Sequence, residues 1–242
     1  SLLRRIESSE PDQGHSDDIL TGNGFDVVVA GSGSDIVDAG SDDSRDIILG
    51  DNGYAVFDAL GNVDLAETTT PGTGGRDQIS SIGGRNIILG GTDNDVITTG
   101  SGEDIVLGDN GRLEASGGWL TRIVSQDTAV GGADEVVTAE GNDIVFGGSA
   151  NDVIDSGADD DVVLGDSGEA TFDTGVWLRI HTISQEIGGN DTIFAGGQDD
   201  VAIGGFGDDL ILGGEDGDDI ILGDNGLVVG DDGSPEAFDV IS

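Results

Sequence analysis

Residues 91–111 read GTDNDVITTGSGEDIVLGDNG. Asp95 and Asp104 stand nine residues apart, and two positions after each comes a β-branched residue, Ile97 and Val106. Asp and Gly favour turns and do poorly inside helices and flat strands. Ile and Val favour extended backbone. The unit is therefore a Gly/Asp turn followed by a very short strand. Acids on so strict a period repel one another, so something must compensate them.

The same frame extends outward in four blocks. The acids are Asp17, Asp26, Asp35 and Asp46, then Asp77, Asn86, Asp95 and Asp104, then Asp134, Asp143, Asp152 and Asp161, then Asp191, Asp200, Asp209 and Asp219. Within a block the step is nine, except eleven before Asp46 and ten before Asp219. Two residues after the acid, fifteen of the 16 frames carry Ile or Val, and the exception is Ala202. That regularity selects strand over helix. Two residues before the acid, Gly occurs ten times, including Gly24, Gly33, Gly102, Gly141 and Gly207. Gly there permits positive φ or a close backbone approach. Asp93 and Asp159 occupy that position instead, which predicts altered turns, and the irregular steps predict a register shift.

A longer period overlies the short one. DIILGDNG (46–53), DIVLGDNG (104–111), DVVLGDSG (161–168) and DIILGDNG (219–226) recur about every 58 residues. Each is followed by a less acidic stretch, such as RLEASGGWLTRIVSQ (112–126) and EATFDTGVWLRIHTISQ (169–185). These read as two strands around a Gly turn, hence β-hairpins. Residues 1–242 thus form one continuous array, with units of about 1–53, 54–111, 112–168, 169–226 and a partial 227–242. The opening SLLRRIESSE resembles a second hairpin strand, and the closing LVVGDDGSPEAFDVIS resembles a first half that stops. Neither end looks like a cap. With no Met in the chain, an excerpt from a longer protein is expected.

Composition narrows the function. The chain has 242 residues, 50 acids against eight basic residues, all of them Arg, and a net charge of −42. Nucleic acid and anionic membrane surfaces are poor partners for it, and cations are natural ones. With no Cys, neither disulfides nor thiolate metal sites are available. No apolar run reaches transmembrane length, and residues 1–20 carry no secretory signal pattern. Aromatic residues make up only 4%, which favours a thin core repeated along one axis. His15 and His181 lack metal-binding partners, no phosphate-binding Gly-rich loop occurs, and no separate convergent set of catalytic groups is visible. An enzyme is not expected. Trp119 and Trp177 fall in equivalent hairpin stretches and read as hairpin packing, with a sugar- or partner-binding platform as the alternative.

The pattern resembles the nonapeptide Gly-Gly-x-Gly-x-Asp-x-apolar-x of the repeats-in-toxin (RTX, hemolysin-type calcium-binding) family; AGSGSDIVD (30–38) and GGFGDDLIL (204–212) match it well. The resemblance implies an all-β fold: a right-handed, calcium-bound parallel β-roll, a β-solenoid here carrying lateral β-hairpin inserts about every 58 residues. Two nonapeptides make one rung. Ca²⁺ ions, several of them, sit between stacked turns, held by the Asp carboxylates and by carbonyls of the Gly-rich turns. Asp17 then pairs with Asp35 and Asp26 with Asp46, and so on within each block. Asn86 is expected to weaken its site with Asp104. Asp51, Asp109, Asp166 and Asp224 either add ligands or form turns.

Elementary electrostatics leads the same way. Parallel strands lie about 4.8 Å apart, and two carboxylates at ~5 Å repel by roughly 3 kcal/mol at an effective dielectric of 20. Eight such pairs would exceed the ~5–15 kcal/mol stability of a typical domain. Ca²⁺ accepts six to eight oxygen ligands in flexible geometry, whereas Mg²⁺ demands a tight octahedron. The expected function is a calcium-binding structural repeat segment that folds and stiffens on extracellular Ca²⁺ in a large secreted or cell-surface bacterial protein of the adhesin or matrix type. Its partners would be calcium ions, neighbouring repeats and a possible glycan or surface. The alternatives are an accessory domain of a secreted enzyme or toxin, and a carbohydrate- or partner-binding module using the hairpins.

Overall fold

The computed structural model describes residues 3–230 and 239–241. Among the described residues the strands fall into three sheets. The outer parallel sheet holds eight strands, Asp18–Leu20, Ile36–Asp38, Gln78–Ser81, Val96–Thr99, Glu135–Val137, Val153–Asp155, Thr192–Phe194 and Leu210–Leu212. The central parallel sheet holds Val27–Val29, Ile47–Leu49, Ile87–Gly91, Ile105–Asp109, Ile144–Gly148, Val162–Asp166, Val201–Gly205 and Ile220–Asp224. The chain alternates between these two sheets, so each successive pair of short strands adds one rung. The parallel β-roll expected from the nonapeptides is present.

The hairpins do more than project sideways. Their strands join edge to edge into a nine-stranded antiparallel sheet: Arg5–Glu7, Gly53–Phe57, Val63–Thr68, Gly111–Ser116, Trp119–Ser125, Gly168–Asp173, Val176–Thr182, Leu227–Val229 and Asp239–Ile241. Val63–Thr68 of the first hairpin pairs with Gly111–Ser116 of the second, and Trp119–Ser125 of the second pairs with Gly168–Asp173 of the third. The closing stretch contributes both strands of a hairpin, because Asp239–Ile241 pairs with Leu227–Val229; it does not stop at the first.

Burial explains why the two parallel sheets differ in sequence. In the central sheet Ile47, Ile48 and Leu49 are all buried. Ile48 packs with Val37, Ile79 and Ile88 in the core shared with the outer sheet. Ile47 and Leu49 pack with Ala55, Ala66 and Leu113 in a second core shared with the antiparallel sheet. A strand covered on both faces reads as a continuous apolar run, hence IIL and VVL. Outer-sheet strands are covered on one face only; Ile36–Asp38 buries Val37 and exposes its neighbours. The structure is thus three layers with two thin cores.

The third sheet's outer face carries much of the chain's positive charge. Arg112 meets Glu67 at 3.1 Å and Glu114 at 2.7 Å, and Arg122 meets Glu169 at 2.8 Å. Arg5 lies 4.0 Å from the Tyr54 ring centre. Both tryptophans lie against the following repeat. A Cβ on Gly175 would come within 3.1 Å of the Trp119 ring, and one on Gly230 within 2.7 Å of the Trp177 ring. Trp177 also packs against the core beneath the hairpins, whereas Trp119 stays 57% exposed.

Candidate metal centre

Two columns of turns run along the solenoid, one feeding the outer sheet and one the central sheet. The first carries Asp17, Asp35, Asp77, Asp95, Asp134, Asp152, Asp191 and Asp209. Each acid's main-chain N–H donates to the Oδ1 of the next: Asp17 to Asp35 (2.7 Å), Asp35 to Asp77 (2.8 Å), Asp77 to Asp95 (2.8 Å), Asp95 to Asp134 (2.7 Å), and so on to Asp209. The second column runs Asp26, Asp46, Asn86, Asp104, Asp143, Asp161, Asp200 and Asp219 by the same bond. The ladders therefore continue across block boundaries: Asp35 adjoins Asp77 in the next block, and Asn86 adjoins Asp46 as well as Asp104.

Of the two expectations about irregular frames, the register shift fails and the altered turns hold. Asp26 to Asp46 (2.9 Å) and Asp200 to Asp219 (3.1 Å) keep the ladder bond, so the added residues are accommodated in the turns and no register shift follows. The turns at Asp93 and Asp159 do differ: their φ of 70° and 83° lies in the left-handed region, whereas Gly24, Gly33, Gly102, Gly141 and Gly207 stand at 123°, 137°, 129°, 128° and 143°. Asp tolerates that region better than most side chains. Close stacking adds a second reason for glycine: a Cβ on Gly102 would lie 1.8 Å from the Gly84 carbonyl oxygen, and one on Gly207 1.7 Å from that of Gly189.

While Oδ1 is satisfied, Oδ2 is not. In Asp26, Asp35, Asp77, Asp95, Asp104, Asp134, Asp143, Asp152, Asp161, Asp191, Asp200 and Asp209 it is buried without a hydrogen-bond partner. An unpaired buried carboxylate oxygen is costly. Burial first, and neighbouring acids after it, push Asp95 up to about 10 and Asp152 up to about 11. Asp134 and Asp161 rise to about 8, again mainly through burial.

Asn86 shows what these oxygens face. Its Oδ1 accepts the ladder bond from Asp46 at 3.0 Å. Its Nδ2, in the place of the orphan oxygen, donates to the carbonyls of Ser81 (3.3 Å) and Gly83 (3.1 Å). Those carbonyls belong to its own turn, five and three residues upstream. In an Asp rung the same position is an oxygen turned towards other oxygens, a set that suits a hard cation. Among the described residues no three His, Cys, Asp or Glu side chains come together around one point. Any ion here would be completed by main-chain oxygens.

The family model for the RTX calcium-binding nonapeptide repeat matches residues 13–45, 22–54, 82–112, 128–163, 137–171 and 187–220, together more than half of the chain. The chain belongs to this RTX family. No curated protein and no solved structure matches it. RTX repeats bind calcium and are structural rather than catalytic, which accords with the orphan oxygens. Among the described residues no helix is long and apolar enough to cross a membrane.

Two further residue groups support this RTX ladder, one with its role left open by the sequence and one not singled out in it. Asp51, Asp109 and Asp166, left open between ligand and turn, use both oxygens on main-chain N–H groups. Asp51 accepts from Gly75 (3.2 Å) and Thr92 (2.6 Å), Asp109 from Gly132 (2.8 Å) and Ser149 (2.6 Å), and Asp166 from Gly189 (3.0 Å) and Phe206. Each carboxylate ties a hairpin root to two successive turns. Asp224 is exposed and makes no such clasp among the described residues. The second group is Ser81, Thr99, Thr138 and Ser156, which stand where the nonapeptide begins with Gly. Ser81 Oγ donates to Asp46 Oδ2 at 2.9 Å, whereas Thr138 Oγ1 donates to the Ser156 carbonyl at 2.8 Å and Ser156 Oγ to the Ala195 carbonyl at 2.9 Å. Their signal was a Ser or Thr five residues before Asn86, Asp104, Asp143 and Asp161.

Proposed function

We propose that this RTX segment is a calcium-set structural element: it folds when Ca²⁺ enters the two turn columns and then acts as a stiff spacer in a secreted or cell-surface bacterial protein of the adhesin or matrix type. The observation that carries the reading is the contrast at Asn86. Where the side chain can donate, the turn carbonyls are satisfied from within. Where it is Asp, the buried oxygen in the place of that amide is anionic and lacks a hydrogen-bond partner, and a divalent cation satisfies it.

The ladder residues Asp17, Asp26, Asp35, Asp46, Asp77, Asp95, Asp104, Asp134, Asp143, Asp152, Asp161, Asp191, Asp200, Asp209 and Asp219 would supply the carboxylates, with carbonyls of the Gly-rich turns completing each set. Several ions per chain follow from the repetition. Extracellular modules bind Ca²⁺ at roughly 10⁻⁴–10⁻³ M, so millimolar calcium outside a cell would fill the columns while the calcium-poor cytosol would leave the chain unfolded. A stiff rod suits the three-layer build, because each rung is held by two cores and by the hairpin sheet.

The test is far-UV circular dichroism of chelator-stripped protein titrated with Ca²⁺, with Mg²⁺ as control. A steep coil-to-β transition near millimolar Ca²⁺, absent with Mg²⁺, is expected. A complete β spectrum in excess EDTA would overturn the reading.

A further inference from the structure

An array built by repetition makes its exceptions conspicuous, and three of them meet at one place. The ladder step from Asp26 to Asp46 spans 20 residues, where regular in-block steps such as Asp77 to Asp95 span 18. The first hairpin turns through residues 58–62, whereas the second and third turn through the pairs 117–118 and 174–175. In the position just before the second-column acid stand Phe25, Arg45 and Arg85, where later rungs carry Glu103, Asn142, Asp160, Asp199 and Asp218. The long turn, the long hairpin tip and the two arginines enclose a cleft of about 510 Å³, within the range of small-ligand sites.

The lining is chemically divided. Arg45 and Arg85 bring two guanidiniums to neighbouring rungs, with Ser44 and Asn62 beside them. Phe25, Ile47 and Val63 form the apolar side. Phe25 is 49% exposed, and its ring is held edge-on against Phe57 with centroids 6.1 Å apart, so its free face is fixed. Arg85 meets Glu103 at 3.1 Å. Arg45 has no ion-pair partner among the described residues, in a chain of net charge −42. Nearby acids are already engaged: Asp42 accepts from the N–H groups of Gly24 and Ser44, and Asp58 from those of Leu60 and Asn62. Asp43 is on the rim without pairing to either arginine. Although Arg45 keeps solvent access, its packed surroundings and then the Arg85 charge lower its affinity for a proton.

We propose that this cleft binds a small organic monocarboxylate, its carboxylate on Arg45 and Arg85 and its apolar body on the face of Phe25. The guanidinium fork matches a carboxylate in bidentate fashion. Because Arg85 already shares its charge with Glu103, and Asp43 on the rim adds a negative charge, the cleft favours a monoanion over phosphate.

The experiment is a two-dimensional NMR titration of the whole chain in calcium-containing buffer with phenylacetate, acetate and 2-phenylethanol. Phenylacetate should give saturable shifts confined to the cleft. Acetate should bind about tenfold or more weakly, and the alcohol should give no response. Arg45→Gln with Arg85→Gln should weaken phenylacetate by about tenfold or more with the circular dichroism unchanged, and Asp43→Asn should tighten it. No saturable response in the native chain would overturn the proposal. Equal binding of acetate would remove the role of Phe25, and equal binding by the folded double Arg variant would remove that of the guanidiniums.

Discussion

Asn86 is a natural substitution inside an otherwise acidic column, and it predicts what its neighbours would do if changed. Asp95→Asn should place an amide where the orphan oxygen lies, letting Nδ2 reach its turn carbonyls as Asn86 does. At a pH where these acids are ionised it removes one charge flanked at both neighbouring rungs by acids, Asp77 and Asp134. Each contact at ~5 Å is worth up to roughly 3 kcal/mol at a dielectric of 20. The variant should be more structured in EDTA and bind fewer Ca²⁺ ions, by circular dichroism and by equilibrium dialysis. Asn86→Asp is the reciprocal change: ion stoichiometry should rise, and structure in EDTA should fall. Unchanged stoichiometry in both variants would show that the ladder side chains are not ligands.

Strands and turns depend on a second kind of buried acid. Asp109 places one oxygen on the Gly132 N–H and the other on the N–H and hydroxyl of Ser149. Asp109→Ala would orphan buried donors in two turns, at about 1–3 kcal/mol each. The expected result is a lower thermal midpoint at saturating Ca²⁺ with no change in the number of ions bound, measured by calorimetry and dialysis on the same preparation. A loss of bound ions would make Asp109 a ligand instead. The hairpin sheet has its own requirement. Leu113 is buried in the core between the hairpins and the central sheet, and Leu113→Ala should cost about 2–5 kcal/mol.

Over the whole molecule these shifts add up to a pH dependence with a definite sign. Burial raises Asp77, Asp143 and Asp191 to about 7, Asp161 to about 8 and Asp95 to about 10. An acid raised on folding binds more protons in the folded chain than in the unfolded one between its ordinary value and its folded value. Stability then falls as pH rises through that window. In EDTA the chain should therefore hold more β structure at pH 5 than at pH 9. With Ca²⁺ the trend should reverse, because protons compete with the ion for the same oxygens. Circular dichroism across pH with and without chelator checks both limbs; parallel curves would mean that protons and calcium do not share these sites.

Most of the roll was legible in local periodicity. The fixed offset between acid and Ile or Val sets both the turn and the strand face, since strand side chains alternate with a period of two. The charge of −42 on short carboxylates already demanded a cation. The rest lay in contacts such as Asp51 with Gly75 and Asp35 with Asp77, 24 and 42 residues apart, which no nonapeptide encodes. Asp35 and Asp77 belong to different blocks, and only stacking makes them neighbours. Asp51 looks like another turn acid until the fold brings the N–H groups of Gly75 and Thr92 to its two oxygens. The hairpins each read as a separate insert, because pairing within a hairpin is local whereas pairing between hairpins depends on the solenoid spacing their roots. That spacing turns four inserts into one sheet, buries Leu113 and Ile123 beneath it, and draws the long first tip down beside Arg45.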